Sequence, residues 1–368
     1  MPENDTSTQG HLPAASFQQG LRRNRALLVV LSLVILIGLV LGGIVLYPRL
    51  SGGAAHRTGT ITISPMTAHG FHDFAVPTAN SKPFDITRGP DGNLWFTEFD
   101  GNKIGRVTPN GAITEYAVPT PGAGPYMIVA GPDGNLWFTE YYSDKIGRVT
   151  PVGAVTEFAL SDPNSSAAGI TAGPDGNLWV TAYPGEIYRV TPNGSMTMFT
   201  LPTTPTVPFA ITAGPDGNLW FSFDAEFTSQ NTQNDNLLGS ITPSGKVSTL
   251  SLPTKSSNVD AITLGPDGNL WFTDYGNDLI GSVSPGGSIH EYANHAPYNS
   301  LNDLARGPDG ALWYTEQDGV IGRITRTGAI AKFTIPTPNS QPNGITAGPG
   351  NTIWFTELGA NRIGYVVV

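Results

Sequence analysis

The sequence predicts an all-β fold: a seven-bladed β-propeller of four-stranded blades, preceded by one N-terminal transmembrane helix. Three observations predict it. Gly 45 and Pro 31 make up about a fifth of the 368 residues, and both break helix interiors. All seven Trp residues fall at one place in a repeated segment. A single uncharged apolar run, long enough to cross a bilayer, precedes the first repeat.

The chain opens with a polar arm, residues 1–25, ending in Arg22, Arg23 and Arg25. The run Ala26 to Tyr47 has 22 residues and no charge. As a helix it spans about 30 Å of hydrocarbon. It is longer than a secretory h-region of about 7–15 residues, so it is read as an uncleaved anchor. Gly38 and Gly42 form a Gly-x-x-x-Gly pair, a spacing that is common by chance in an apolar span. The arginines precede the span, which puts the arm in the cytoplasm and the rest outside the cell membrane. Residues 48–68 read as a small, polar, Gly-rich linker.

The propeller is assigned to 69–368. The repeats run Gly89-Pro-Asp-Gly-Asn-Leu-Trp95, Gly131 to Trp137, Gly173 to Trp179, Gly214 to Trp220, Gly265 to Trp271, Gly307 to Trp313, and a degenerate Gly348 to Trp354. The Trp spacings are 42, 42, 41, 51, 42 and 41, the period of a four-stranded blade. In the first repeat, Asp85 to Arg88 is strand A and Leu94 to Glu98 is strand B. Lys103 to Val107 is strand C, and Ala112 to Val118 is strand D. Pro90 to Asn93 is the hairpin turn between A and B, with Pro fixing φ and Gly accepting positive φ. A calcium role for that turn lacks the distal Glu of a loop cage. The last repeat stops after its strand C. The segment His69 to Pro77 matches Gly111 to Pro119, so the start of the propeller supplies the missing strand D and removes two open edges.

Composition excludes several functions. No Cys is present, which rules out disulfides, thiolate metal sites and a Cys nucleophile. A net charge of −10 excludes nucleic-acid binding by bulk electrostatics. The aromatic content, 16 Phe, 12 Tyr and 7 Trp, is enough to fill a large core.

Strands A and B are antiparallel, so the start of A lies beside the end of B at one mouth of the ring. The A-start residues are Phe84, Tyr126, Ala168, Phe209, Asp260, Asn302 and Asn343. The B-end residues are Glu98, Glu140, Ala182, Phe223, Asp274, Glu316 and Glu357. An aromatic wall of Phe84, Tyr126, Phe209 and Phe223 facing polar groups is the make-up of a small-molecule or peptide pocket. Asp274, Glu316 and Glu357 are oxygen donors suited to a divalent cation; the alternative leaves them as solvated strand ends. Asp85 and Asp303 follow the A-start positions and add negative charge. The insertion Asp224 to Asn236 leaves strand B on the mouth side, as a lid or as a tolerated surface loop.

Segments such as Ile211-Thr-Ala-Gly-Pro-Asp-Gly-Asn-Leu-Trp-Phe221 and Asn102-Lys-Ile-Gly-Arg-Val-Thr108 resemble the virginiamycin B lyase, or streptogramin lyase, family. The likeness covers about residues 69–368 and all seven repeats. It implies a seven-bladed propeller that opens a cyclic depsipeptide antibiotic by Mg²⁺-dependent elimination. It also implies a His at the A-start of each of the last two blades, a Glu two residues before the second His, and a Glu at the last B-end. Here those positions are Asn302, Asn343, Gln341 and Glu357. Only Glu357 matches, and an amide is no general base near neutral pH. His295, in the loop into blade 6, is the one histidine placed to substitute. The chain is therefore read as a lyase-like propeller that binds a ligand through Phe84, Tyr126, Phe209, Asp260, Asn302, Gln341 and Asn343 without the elimination. The alternatives are an active lyase with shifted residues, a metal-dependent lactonase resembling the gluconolactonase group, and a scaffold that binds protein or cell-wall glycan.

The predicted topology is directly testable. Protease added to intact cells should remove the propeller. Complete protection in cells with an accessible outer surface contradicts the assigned orientation.

Overall fold

The computed structural model describes residues 70–201, 207–224, 236–296 and 300–368. The predicted arm, membrane span and linker lie outside the described residues, as do His69 and positions 225–235 of the long insertion. The described chain forms seven antiparallel four-stranded sheets. Six are built from four consecutive strands, and in each the first strand touches the first strands of the sheets on either side. These first strands close a ring, so strand A is the innermost of each blade.

The seventh blade joins the two ends of the propeller. Its strands Pro342–Ala347, Thr352–Glu357 and Arg362–Val367 are completed by Phe71–Ala75. The register runs from Phe71 opposite Val366 to Ala75 opposite Arg362. Phe74 stacks near Trp354 at 6.0 Å and His72 on Tyr365 at 4.7 Å. Asn361 then ties the seam. Its Nδ2 donates to the carbonyls of Val76 (3.2 Å) and Thr78 (2.9 Å), and its Oδ1 accepts from the Ser81 amide and hydroxyl, each at 2.9 Å.

Packing energy lies between blades rather than within them. Alternation sends Trp95 toward blade 2, into a cluster with Ile128, Leu136 and Phe138. It sends Phe96 the other way, into a cluster with Trp354 and Ile363 of blade 7. Seven such clusters recur among the described residues, one for each junction between neighbouring blades. A single repeat cannot bury its own apolar faces, which is the physical reason for the array.

The turn motif has a structural role. Asp91 Oδ1 accepts from Trp95 Nε1 at 3.1 Å, and the same bond recurs in the next five blades at 3.0–3.1 Å. In the degenerate repeat Thr352 Oγ1 takes the place of the carboxylate, at 3.0 Å. Gly89 is required because a Cβ there would lie 2.5 Å from Trp95 Cδ1.

A threonine hydroxyl in each of six blades stitches the ring. Thr97 Oγ1 accepts from the Asp85 amide (3.0 Å) in its own blade and donates to the Tyr126 carbonyl (2.7 Å) in the next. Thr139, Thr181, Thr273 and Thr315 repeat the bridge to Ala168, Phe209, Asn302 and Asn343. Thr356 completes it at the seam, donating to the Phe84 carbonyl at 2.8 Å. In blade 4 Ser222 accepts from the Ala210 amide at 3.0 Å.

A chain beginning at Lys82 lacks Phe71–Ala75 and leaves the edge of Arg362–Val367 open. It is expected to aggregate, or to melt well below a chain beginning at Arg57. Equal melting temperatures in a thermal scan would contradict this closure.

Candidate functional site

Strand A meets strand B where the sequence places them. Pro83, Pro125, Pro208, Val259, Leu301 and Pro342 lie opposite Glu98, Glu140, Phe223, Asp274, Glu316 and Glu357. Just after each pairing the register shifts within strand A. A bulge re-aims side chains, and here it separates the two sets of expected site residues.

The A-start residues converge in part. The Phe84 and Tyr126 rings lie 4.3 Å apart, and Tyr126 and Phe209 lie 6.3 Å apart. Three further aromatics join them from the loops after strand B. Phe99 lies 6.0 Å from both Phe84 and Tyr126. Tyr141 lies 5.2 Å from Tyr126, and Tyr142 lies 5.4 Å from Phe99. Burial, followed by Tyr141 and Asp100, pushes the Tyr142 phenol up to about 12. Phe223 belongs elsewhere: it is buried against Phe221 at 5.2 Å in the core between blades 3 and 4.

The polar half of the mouth carries amides. Asn302 Nδ2 donates to the Pro342 carbonyl at 2.8 Å, reaching from blade 6 to blade 7. Asn343 follows Pro342, and its own carbonyl accepts from Thr315. Gln341 sits at φ 45° with its side chain over Gly359. Asp260 is half-buried at the start of blade 5. His295 is exposed at φ 56°.

The B-end carboxylates do not gather at the mouth. Glu98, Glu140 and Asp274 are 0 % exposed, and Glu316 and Glu357 are 1 % exposed. Their polar neighbours lie in or beside their own blade rather than across the mouth. Asp274 accepts from the Asn258 and Asn277 amides and from Asn277 Nδ2, at 2.9–3.2 Å. Glu316 pairs with Lys332 of strand D at 2.7 Å. Glu357 faces Thr337, Asp73 and Arg362. Burial raises Glu98, Glu140 and Glu357 to about 7. Among the described residues no group of three or more His, Asp or Glu is arranged to hold a metal ion. Asp274, Glu316 and Glu357, expected as oxygen donors to one cation, are thus kept apart in three blades. The reason is strand alternation. Glu98 shares a face with Phe96, two residues earlier, and that face packs on the neighbouring blade rather than lining the axis.

Sequence reading missed Phe99, Tyr141 and Tyr142, which lie in loops with no hydrophobic period. Their signal was an aromatic directly after the B-end Glu in blades 1 and 2 only.

Comparison with known proteins places this geometry. Residues 51–232 and 224–368 match the virginiamycin B lyase family. The selenomethionine-substituted virginiamycin B lyase of Staphylococcus aureus is 33% identical, with 81% of this chain and 99% of that chain covered and a TM-score of 0.74. A streptogramin B lyase structure is 34% identical, with 81% and 98% covered and a TM-score of 0.74. A catalytically inactive His-to-Ala variant of the S. aureus enzyme with quinupristin is 32% identical, with 81% and 99% covered and a TM-score of 0.74. The repeats, the ring closure and these matches agree: the chain belongs to the virginiamycin B lyase family.

Proposed function

We propose that this chain is a membrane-anchored, extracytoplasmic propeller that binds a small molecule or peptide at its mouth and does not perform the family's elimination. One observation carries the reading. The mouth positions of blades 6 and 7 hold Asn302 and Asn343, and the Asn302 amide already bonds to the Pro342 carbonyl. Elimination needs a group that removes a proton next to a carbonyl, and an amide cannot do so near neutral pH. A related S. aureus enzyme is catalytically inactive as a single His-to-Ala variant. The described histidines here are His72 and His290 in outer strands and the exposed His295.

The residues present do not fit a magnesium centre. Of the four positions where the family places His, His, Glu and Glu, Asn302, Asn343 and Gln341 are neutral here, and the fourth, Glu357, is buried beside Asp73 and Arg362 of its own blade. Divalent cations are therefore bound weakly, if at all. The aromatic cluster supports a ligand with ring faces, held by Phe84, Phe99, Tyr126 and Phe209 and oriented by Asp260, Asn302, Gln341 and Asn343. The anchor is supported by the uncharged run 26–47 and the arginines before it.

The test is turnover of a cyclic depsipeptide such as quinupristin by the full chain at saturating Mg²⁺, followed by mass spectrometry. The wild type is expected to stay near background. The triple substitution Asn302→His, Asn343→His and Gln341→Glu is expected to raise turnover by about 10²-fold, the lower end of what a positioned base supplies. Fast wild-type turnover that survives His295→Ala would overturn the reading.

A further inference from the structure

The aromatic wall is a surface rather than part of the core. Phe84, Phe99, Tyr126, Tyr141, Tyr142 and Phe209 are each half-exposed. None of the six joins the apolar clusters at the blade junctions. Centroid separations of 4.3–6.3 Å link them into one continuous patch. Ring faces open to solvent suit an apolar body, or a cation drawn to the negative face of a ring.

Charge decides between these. On the innermost strands, the mouth position and the residue after it supply three acids, Asp85, Asp260 and Asp303, and no Lys, Arg or His. All three acids are only half-buried. Two of them flank the wall. Asp85 follows Phe84, and its Oδ2 accepts at 2.7 Å from the Ile128 amide, on the strand that carries Tyr126. Asp260 stands on the strand next to the one that carries Phe209. Asp303 accepts from the Ile345 amide of blade 7 at 3.0 Å, and Gly344 beside it packs on Asp85.

The loops above keep the same sign. Among the described residues they carry Asp100, Asp144, Asp162, Asp278 and Asp318 against Lys82, Lys255 and the exposed His295. Lys82 acts on Asp100. Lys103, Lys145 and Lys332 are already paired with Glu115, Glu157 and Glu316. A cleft lined by one sign of charge, with apolar walls, concentrates the opposite charge.

We propose, on the ligand-binding reading of the mouth, that the ligand is an organic cation: an apolar body laid on the wall from Phe84 to Phe209, with an amine or quaternary ammonium head for which Asp85, Asp260 and Asp303 supply the counter-charge. A neutral ligand would cover the rings and leave the acids uncompensated. An anion would meet like charge in the loops and again at the axis. Burial raises Asp85 to about 8 and Asp303 to about 6. A cation acts against that shift, since a nearby opposite charge favours the ionised form.

The test uses three probes that share one apolar body: 3-phenylpropylamine, 3-phenylpropanol and 3-phenylpropanoate. Dissociation constants for the full chain are read from saturation-transfer NMR titrations at neutral pH. The amine is expected to bind about ten-fold tighter than the alcohol, the scale of a partly desolvated cation on ring faces. The carboxylate is expected to bind most weakly. Asp260→Asn, and separately Asp85→Asn, should narrow the gap between amine and alcohol. The wild-type ranking involves no variant, so it decides the matter even where a variant does not fold. An alcohol bound as tightly as the amine overturns the cation and leaves the ligand-binding reading standing. So does a gap that both folded variants leave unchanged. Binding of none of the three probes overturns both.

Discussion

The arrangement rests on one threonine hydroxyl in each of six blades, two residues after the strand-B Trp. Thr97, Thr139, Thr181, Thr273, Thr315 and Thr356 each hold the bulge of their own strand A and a carbonyl of strand A in the next blade. The partners are a backbone amide and a backbone carbonyl, so the bond does not depend on which side chain the neighbour carries. A buried hydrogen bond adds only about 1 kcal/mol net, but leaving such groups unpaired costs about 1–3 kcal/mol. Blade spacing, bulge and mouth geometry therefore follow from the same small group. Ser222 accepts the equivalent amide in blade 4, so the hydroxyl matters there and the methyl does not.

This explains how the mouth can change its chemistry without disturbing the ring. Asn302 and Asn343 are held through their carbonyl oxygens, by Thr273 and Thr315. A base or an amide at either position leaves those bonds unchanged. The scaffold therefore fixes where a side chain stands and leaves its reactivity open, which is why membership of a family does not settle an activity.

Most of the architecture was legible in the residues. The Trp spacing counts the blades, and the likeness of His69–Pro77 to Gly111–Pro119 predicts a seam that the pairing of Phe71 with Val366 realises. The convergence of Phe84, Tyr126 and Phe209 was legible because the end of a strand determines their position. Asp274, Glu316 and Glu357 sit at the expected end of strand B but are buried, and no metal-holding group forms from them among the described residues. Counting two residues on from Phe96 would have placed Glu98 with the inter-blade core, since side chains alternate strictly along a strand. Thr97 shares the face of Trp95 by the same count, and it points to blade 2. The loop aromatics obey no such count, because their position depends on tertiary packing alone.

The seam also sets an order of events during synthesis. The strand Phe71–Ala75 is made before the six consecutive blades, yet its partner Arg362–Val367 comes last. The bond between Asp73 and Arg362 closes a separation of 289 residues. Contacts so distant in sequence form slowly, because loop closure precedes any gain from pairing. The first-made strand must therefore wait, unpaired, while every blade is translated. Throughout that interval the nascent chain carries an exposed edge, and the cell has to keep it from other strands.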